Sequence, residues 1–130
     1  MEEVINKIET SIAHFHIEND ILFITLKENA CIDVEQVKEA IKARKEIQEN
    51  KPMLTLNDVR NLYDISREAR AFAANNASLL KLNTAMAILT SSLATKLFAN
   101  FFIKFNKPGT PTKIFNKKED ALEWLNALKK

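Results

Sequence analysis

The chain has 130 residues, of which 46% are hydrophobic and 28% charged, the composition of one globular domain able to bury a core without disulfide or metal staples. It carries a net charge of +2 and one glycine, Gly109, and phosphate-cradling loops and dinucleotide fingerprints need several glycines at fixed spacing, so both are excluded. The lone cysteine, Cys31, cannot close an intramolecular disulfide. It reads as a small apolar filler near a helix start in a reducing compartment.

Charge is unevenly spread. Residues 1–59 hold 7 basic and 12 acidic side chains, and residues 60–130 hold 12 and 5. Such asymmetry fits an anionic partner, two oppositely charged faces meeting in self-association, or a solvated surface. The start, Met-Glu-Glu-Val, lacks the basic end and apolar run of a signal peptide. No apolar stretch nears the roughly 20 residues of a membrane span. A cytoplasmic protein without a transmembrane segment is expected.

Residues 9–17 alternate, with Ala13, Phe15 and Ile17 on one face and Ile12, His14 and His16 on the other, as in a half-buried strand. Glu18-Asn19-Asp20 is a turn, and residues 21–27 form the next strand, giving an antiparallel hairpin. Asp33 with Gln36 makes a capping box. Val34, Val37, Ile41, Arg44 and Gln48 trace one stripe of the following helix, with Ala40 and Ile47 beside it. The helix should stop by Asn50, because Pro52 disfavours helical geometry at Lys51.

Residues 53–56 read as a short buried strand followed by a polar loop. Ser66 then caps a helix with Glu68 in its first turn. Ala69, Phe72, Ala73 and Asn76 form a narrow face suited to lying close on a sheet. Residues 84–90 are nearly all apolar, the pattern of a central parallel strand. Ser91 or Ser92 can cap a helix over 93–106, and residues 112–115 form a short strand. Asn116, with Glu119 at the third position, is expected to cap the last helix. Its apolar face is Ala121, Leu122, Trp124, Leu125 and Leu128, with Trp124 largely buried. The order strand, strand, helix, strand, helix, strand, helix, strand, helix implies an α/β fold, a mixed five-stranded sheet with helices packed on it, formed by one domain over residues 1–130.

In the last quarter, a strand ending in Thr90-Ser91 precedes Phe98, Phe101 and Phe102, then Pro111-Thr-Lys-Ile-Phe115 and Asp120-Ala-Leu-Glu-Trp-Leu125. This section, with the element order, resembles the STAS domains of anti-sigma-factor antagonists, and more closely the SpoIIAA-like proteins. The resemblance implies a non-enzymatic regulatory protein-interaction module. In STAS antagonists the loop after the third strand carries a phosphorylated serine at a helix start, and Ser66 is the match by position. The family pattern continues with small residues and glycine, whereas this chain has Arg67-Glu68-Ala69-Arg70.

Several residues are candidates for a site. Ser66, Arg67 and Arg70 at a helix N-terminus suit a phosphoserine or an anion, or a plain N-cap. Asn57, Asp58, Arg60 and Asp64, with Ser91 and Ser92 from the neighbouring parallel strand, can line a polar pocket at the carboxyl edge, or make turns and caps. His14 and His16 are half a metal site, so no metal and no cofactor is expected. Phe98, Phe102 and Phe105 belong to a broad apolar helix face suited to a core or a homodimer interface. No catalytic constellation stands out. The expected partners are a second copy or another protein, not nucleic acid. The alternative is a small-molecule or lipid carrier, which an apolar cavity beneath residues 97–105 would favour.

Overall fold

The computed structural model describes residues 7–91 and 110–129. Its first hairpin follows from the alternation of residues 13–17. Strand β2 (Ala13–Glu18) buries Ala13 and Phe15 and pairs antiparallel with β3 (Ile21–Leu26). Asn19 and Asp20 turn the chain, both at positive φ, as the two-residue turns that match strand twist require. A further strand, β1 (Lys7–Glu9), adds to the outer edge of β2.

Three parallel strands extend the sheet beyond β3. They are β5 (Met53–Asp58), β7 (Asn83–Leu89) and β8 (Thr112–Phe115), giving the order β1-β2-β3-β5-β7-β8. The sheet is mixed, as expected, with six strands among the described residues instead of five because β1 joins it. Two short strands, β4 (Ala30–Ile32) and β6 (Leu62–Ile65), make a separate parallel ribbon. The residues after Leu56 were expected to form only a loop. Instead β5 runs on to Asp58, and Leu62 and Ile65 turn inward against the core.

Helix α1 (Val34–Gln48) begins with the full capping box of Asp33 and Gln36. It ends at Glu49 in the left-handed region, with Glu49 N–H and Asn50 N–H donating to Glu46 O and Lys45 O. That pair of bonds is a Schellman closure. Helix α2 (Arg67–Ala74) buries Ala69 and Ala73 against Val37 and Ile41 of α1. The small-residue face therefore packs on a helix and not on the sheet. Asn76 is not part of that face; it caps α3 (Ala77–Lys81) by accepting from Leu79 N–H at 2.9 Å.

Helix α4 (Lys118–Ala127) covers the opposite sheet face, where Ala121 and Leu125 pack with Phe23, Leu54, Leu56 and Leu89. Its N-cap is Lys117, with no side-chain cap bond, so Asn116 does not cap it. Trp124 is half-buried, with its ring 5.6 Å from that of Phe115, and Leu128 is exposed. Trp124 sits on the flank of α4 against Phe115, beside the fully buried Leu125, and Leu128 follows the last helical residue, so the burial expected for these two is only partial. No helix of the described residues is long and apolar enough to cross a membrane.

Candidate functional site: a cavity with a buried arginine

Alternation in the strands sends two sets of side chains to the two faces of the sheet. On the α1 side, Ala13, Phe15, Ile24 and Ile88 build a core. Between this face and the helices lies a cavity of about 160 Å³. Its walls are almost wholly apolar. Gln36, Val37, Ala40 and Arg44 contribute from α1, and Ile32, Leu62 and Ile65 from the β4–β6 ribbon. The polar lining is Gln36, Arg44, Asn57 and Asn83, and no acidic residue is among it.

Arg44 is 2% exposed. Its Nε donates to Gln48 Oε1 at 2.8 Å, and its Nη2 donates to Thr55 Oγ1 at 3.0 Å and Asn83 Oδ1 at 2.7 Å. Thr55 Oγ1 lies 3.0 Å from Asn83 Oδ1, and Gln48 Nε2 donates to the carbonyls of Lys51 and Leu82. A register shift between Met53 and Leu54 inserts Thr84 into β7. Bulges of this kind re-aim side chains, and this one brings Asn83 to the Arg44 side while Ala85 and Ala87 face α4.

Every acceptor bonded to Arg44 among the described residues is neutral. Burial alone pushes its pKa down to about 9, so the guanidinium still carries its charge at neutral pH. Burying a charge without a counter-charge is costly, and the network offsets that cost only with dipoles.

Among the described residues, those singled out at the carboxyl edge point to different places. Asn57 lines the cavity. Asp58, its neighbour, points to the other face and grips Arg60 in a fork, with Nε–Oδ1 at 2.9 Å and Nη2–Oδ2 at 2.7 Å. That hydrogen-bonded carboxylate holds the Arg60 pKa above its ordinary value. Asp64 is exposed on β6. Ser91 follows β7 at the same edge, consistent with the parallel register of Asp58 and Leu89. Ser92, Phe98, Phe102 and Phe105 lie outside the described residues.

Ser66 caps α2 by accepting from Ala69 N–H at 3.0 Å, and its hydroxyl donates to Asp33 Oδ1 at 2.8 Å. The two helix starts are thus tied side by side. Arg67 is exposed, and Arg70 is half-buried, its Nε without a hydrogen-bond partner among the described residues. The Ser66 hydroxyl bond, then the Val34 amide, hold the Asp33 carboxyl below its ordinary pKa of 3.8. A depressed carboxyl pKa contributes stability above the unfolded value and loses it as pH falls through the folded one. Ser66→Asp sets a second carboxylate against Asp33, so it is expected to be less stable than Ser66→Asn at pH 7. Urea titrations should show that gap closing at about pH 3, where carboxyls take up protons. A gap unchanged with pH would show that the two carboxyls do not meet.

Cys31 is exposed, not a core filler, with its Sγ 3.7 Å from Asn29 O. His16 stacks on Phe23 with ring centres 4.7 Å apart, and His14 is exposed on the same strand. Arg44, Thr55 and Asn83 were not singled out from sequence. The available signal was Arg44 and Gln48 continuing a stripe otherwise set by Val34, Val37 and Ile41: two polar residues on a buried face.

The sheet order, the crossovers and the helices on both faces define a SpoIIAA-like α/β fold. The chain is similar in structure to an uncharacterized protein of the DUF3478 family with a SpoIIAA-like fold from Shewanella loihica PV-4. The two share 21% identity over 87% of this chain and 91% of that one, with a TM-score of 0.57. The chain belongs to the family DUF7793, a domain of unknown function, whose model matches residues 15–129. No curated protein matches it at a significant level.

Proposed function

We propose that this chain is a non-enzymatic binding domain whose ligand is a small, largely apolar molecule held between α1 and the sheet. The observation that carries the reading is the cavity of about 160 Å³ with its apolar walls. An engineered apolar cavity of about 150 Å³ stays dry and takes up benzene, so a void of this size is matched to a ligand of similar bulk. The cavity lies under α1, α2 and α3; residues 97–105, beneath which a cavity would have favoured the carrier alternative, lie outside the described residues. Toluene is a suitable probe. At a hundredfold excess over its dissociation constant, a ligand of the folded state adds about 2.7 kcal/mol of stability. Toluene should therefore raise the melting temperature and shift amide resonances of Ala40, Ile65 and Ile88. Toluene that leaves both unchanged would exclude the reading.

A second reading, a regulatory protein-interaction module that pairs with itself or another protein, is favoured by Tyr63. This side chain is 73% exposed on the β4–β6 ribbon, beside Asp64, and large aromatics of this kind anchor interfaces. Tyr63→Ala should change folding stability by less than about 0.5 kcal/mol. Under this reading it should also abolish any concentration-dependent association seen in sedimentation of the wild type. Association that persists unchanged in the variant would remove Tyr63 from the interface.

A further inference from the structure

We propose that the cavity under α1 is a site for a small monocarboxylate with a short apolar tail, its carboxylate paired with Arg44. The inference rests on the ligand-binding reading and adds the chemical class of the ligand. Three observations carry it. The first is a charged group at the cavity wall with no group of opposite sign paired to it among the described residues: Arg44 is 2% exposed, and no described acidic residue lines the void. The second is spare donor capacity. A guanidinium has five N–H donors, and among the described residues its bonds, to Gln48, Thr55 and Asn83, engage Nε and Nη2, which leaves the Nη1 donors for another acceptor.

The third observation is the character of the remaining walls. Beyond Arg44 they are apolar except for the amides of Gln36, Asn57 and Asn83. One cation balances one negative charge, so a monoanion fits, whereas a phosphate dianion would bring a second charge with no second cation to meet it. In a water-poor site such a charge-assisted bond is far stronger than in water. The cavity volume of about 160 Å³ limits the tail to about the size of a benzene ring or a chain of a few carbons. Benzoate and hexanoate are the simplest probes.

The test compares benzoate with toluene and benzyl alcohol, which share its ring and lack its charge, by nitrogen-15 amide titration and thermal shift on the whole chain. Benzoate should bind at least about tenfold more tightly than either neutral probe, with the largest shifts around Arg44, Thr55 and Asn83. Arg44→Met should erase that preference and still admit toluene. Ala40→Phe, which fills the cavity and leaves Arg44 in place, should abolish benzoate binding, and it keeps the test decisive where Arg44→Met folds poorly. Toluene binding as tightly as benzoate to the wild type would overturn the carboxylate assignment and leave the cavity reading standing. Benzoate shifts that survive Ala40→Phe would place the anion elsewhere and overturn the proposal. Binding of neither probe would overturn both readings.

Discussion

Asn83→Leu is expected to destabilise the fold by about 3–5 kcal/mol, because it breaks a buried charge network from one side. Asn83 is 8% exposed, and its Oδ1 is the acceptor nearest Arg44, at 2.7 Å. Leucine keeps similar bulk but offers no acceptor. The cation then stays buried with Gln48 and Thr55 alone, and Thr55 loses the partner 3.0 Å from its hydroxyl. Removing the cation as well tests the cause. In the Asn83→Leu, Arg44→Met double variant the unpaired charge is gone, so the loss should fall short of the sum of the single losses by about 1–3 kcal/mol. Urea denaturation of the four proteins measures this coupling. Strict additivity would mean that the Arg44–Asn83 bond does not shape stability.

Leu125→Ala is the second large effect, at about 3–5 kcal/mol. Leu125 is 0% exposed and meets Leu54, Leu56 and Leu89 beneath α4. The vacated space is walled by strands held in register, so little relaxation can fill it. Trp124→Ala should cost less than Leu125→Ala despite removing a far larger side chain, because Trp124 is half-buried and leans on Phe115 at the edge of the face. The order of these two losses, read from chemical denaturation, decides which residue anchors the helix. A larger loss at Trp124 would show that the tryptophan is the anchor.

The layout of the fold was legible wherever one local signal governed it. The alternation at Ala13 and Phe15 marked a half-buried strand, the Asp33–Gln36 box marked a helix start, and the apolar run at residues 84–90 marked a central strand. Each of these elements is present. Two of the misreadings share a cause. Strands β4 and β6 are short, and each exists because the other pairs with it, a relation that no local window contains. The packing of α2 on α1 depends in the same way on where two separate helices meet. The cavity was harder still. Arg44 was placed on the buried stripe of its helix, but the three partners that make its burial tolerable come from positions 48, 55 and 83. Sequence spacing carries nothing of the bulge that turns Asn83 toward them.

The Schellman closure of α1 has a practical consequence for anyone engineering a sturdier form of this domain. Glu49 holds φ at 52°, a region where a side chain crowds the backbone and glycine does not. Glycine is more favourable than other residues at this helix position, even after its greater freedom in the unfolded chain is counted. Glu49 is exposed and does not line the cavity under α1. Glu49→Gly is therefore a route to a gain of about 1 kcal/mol. Heat tolerance can thus be raised there without altering the walls of the cavity.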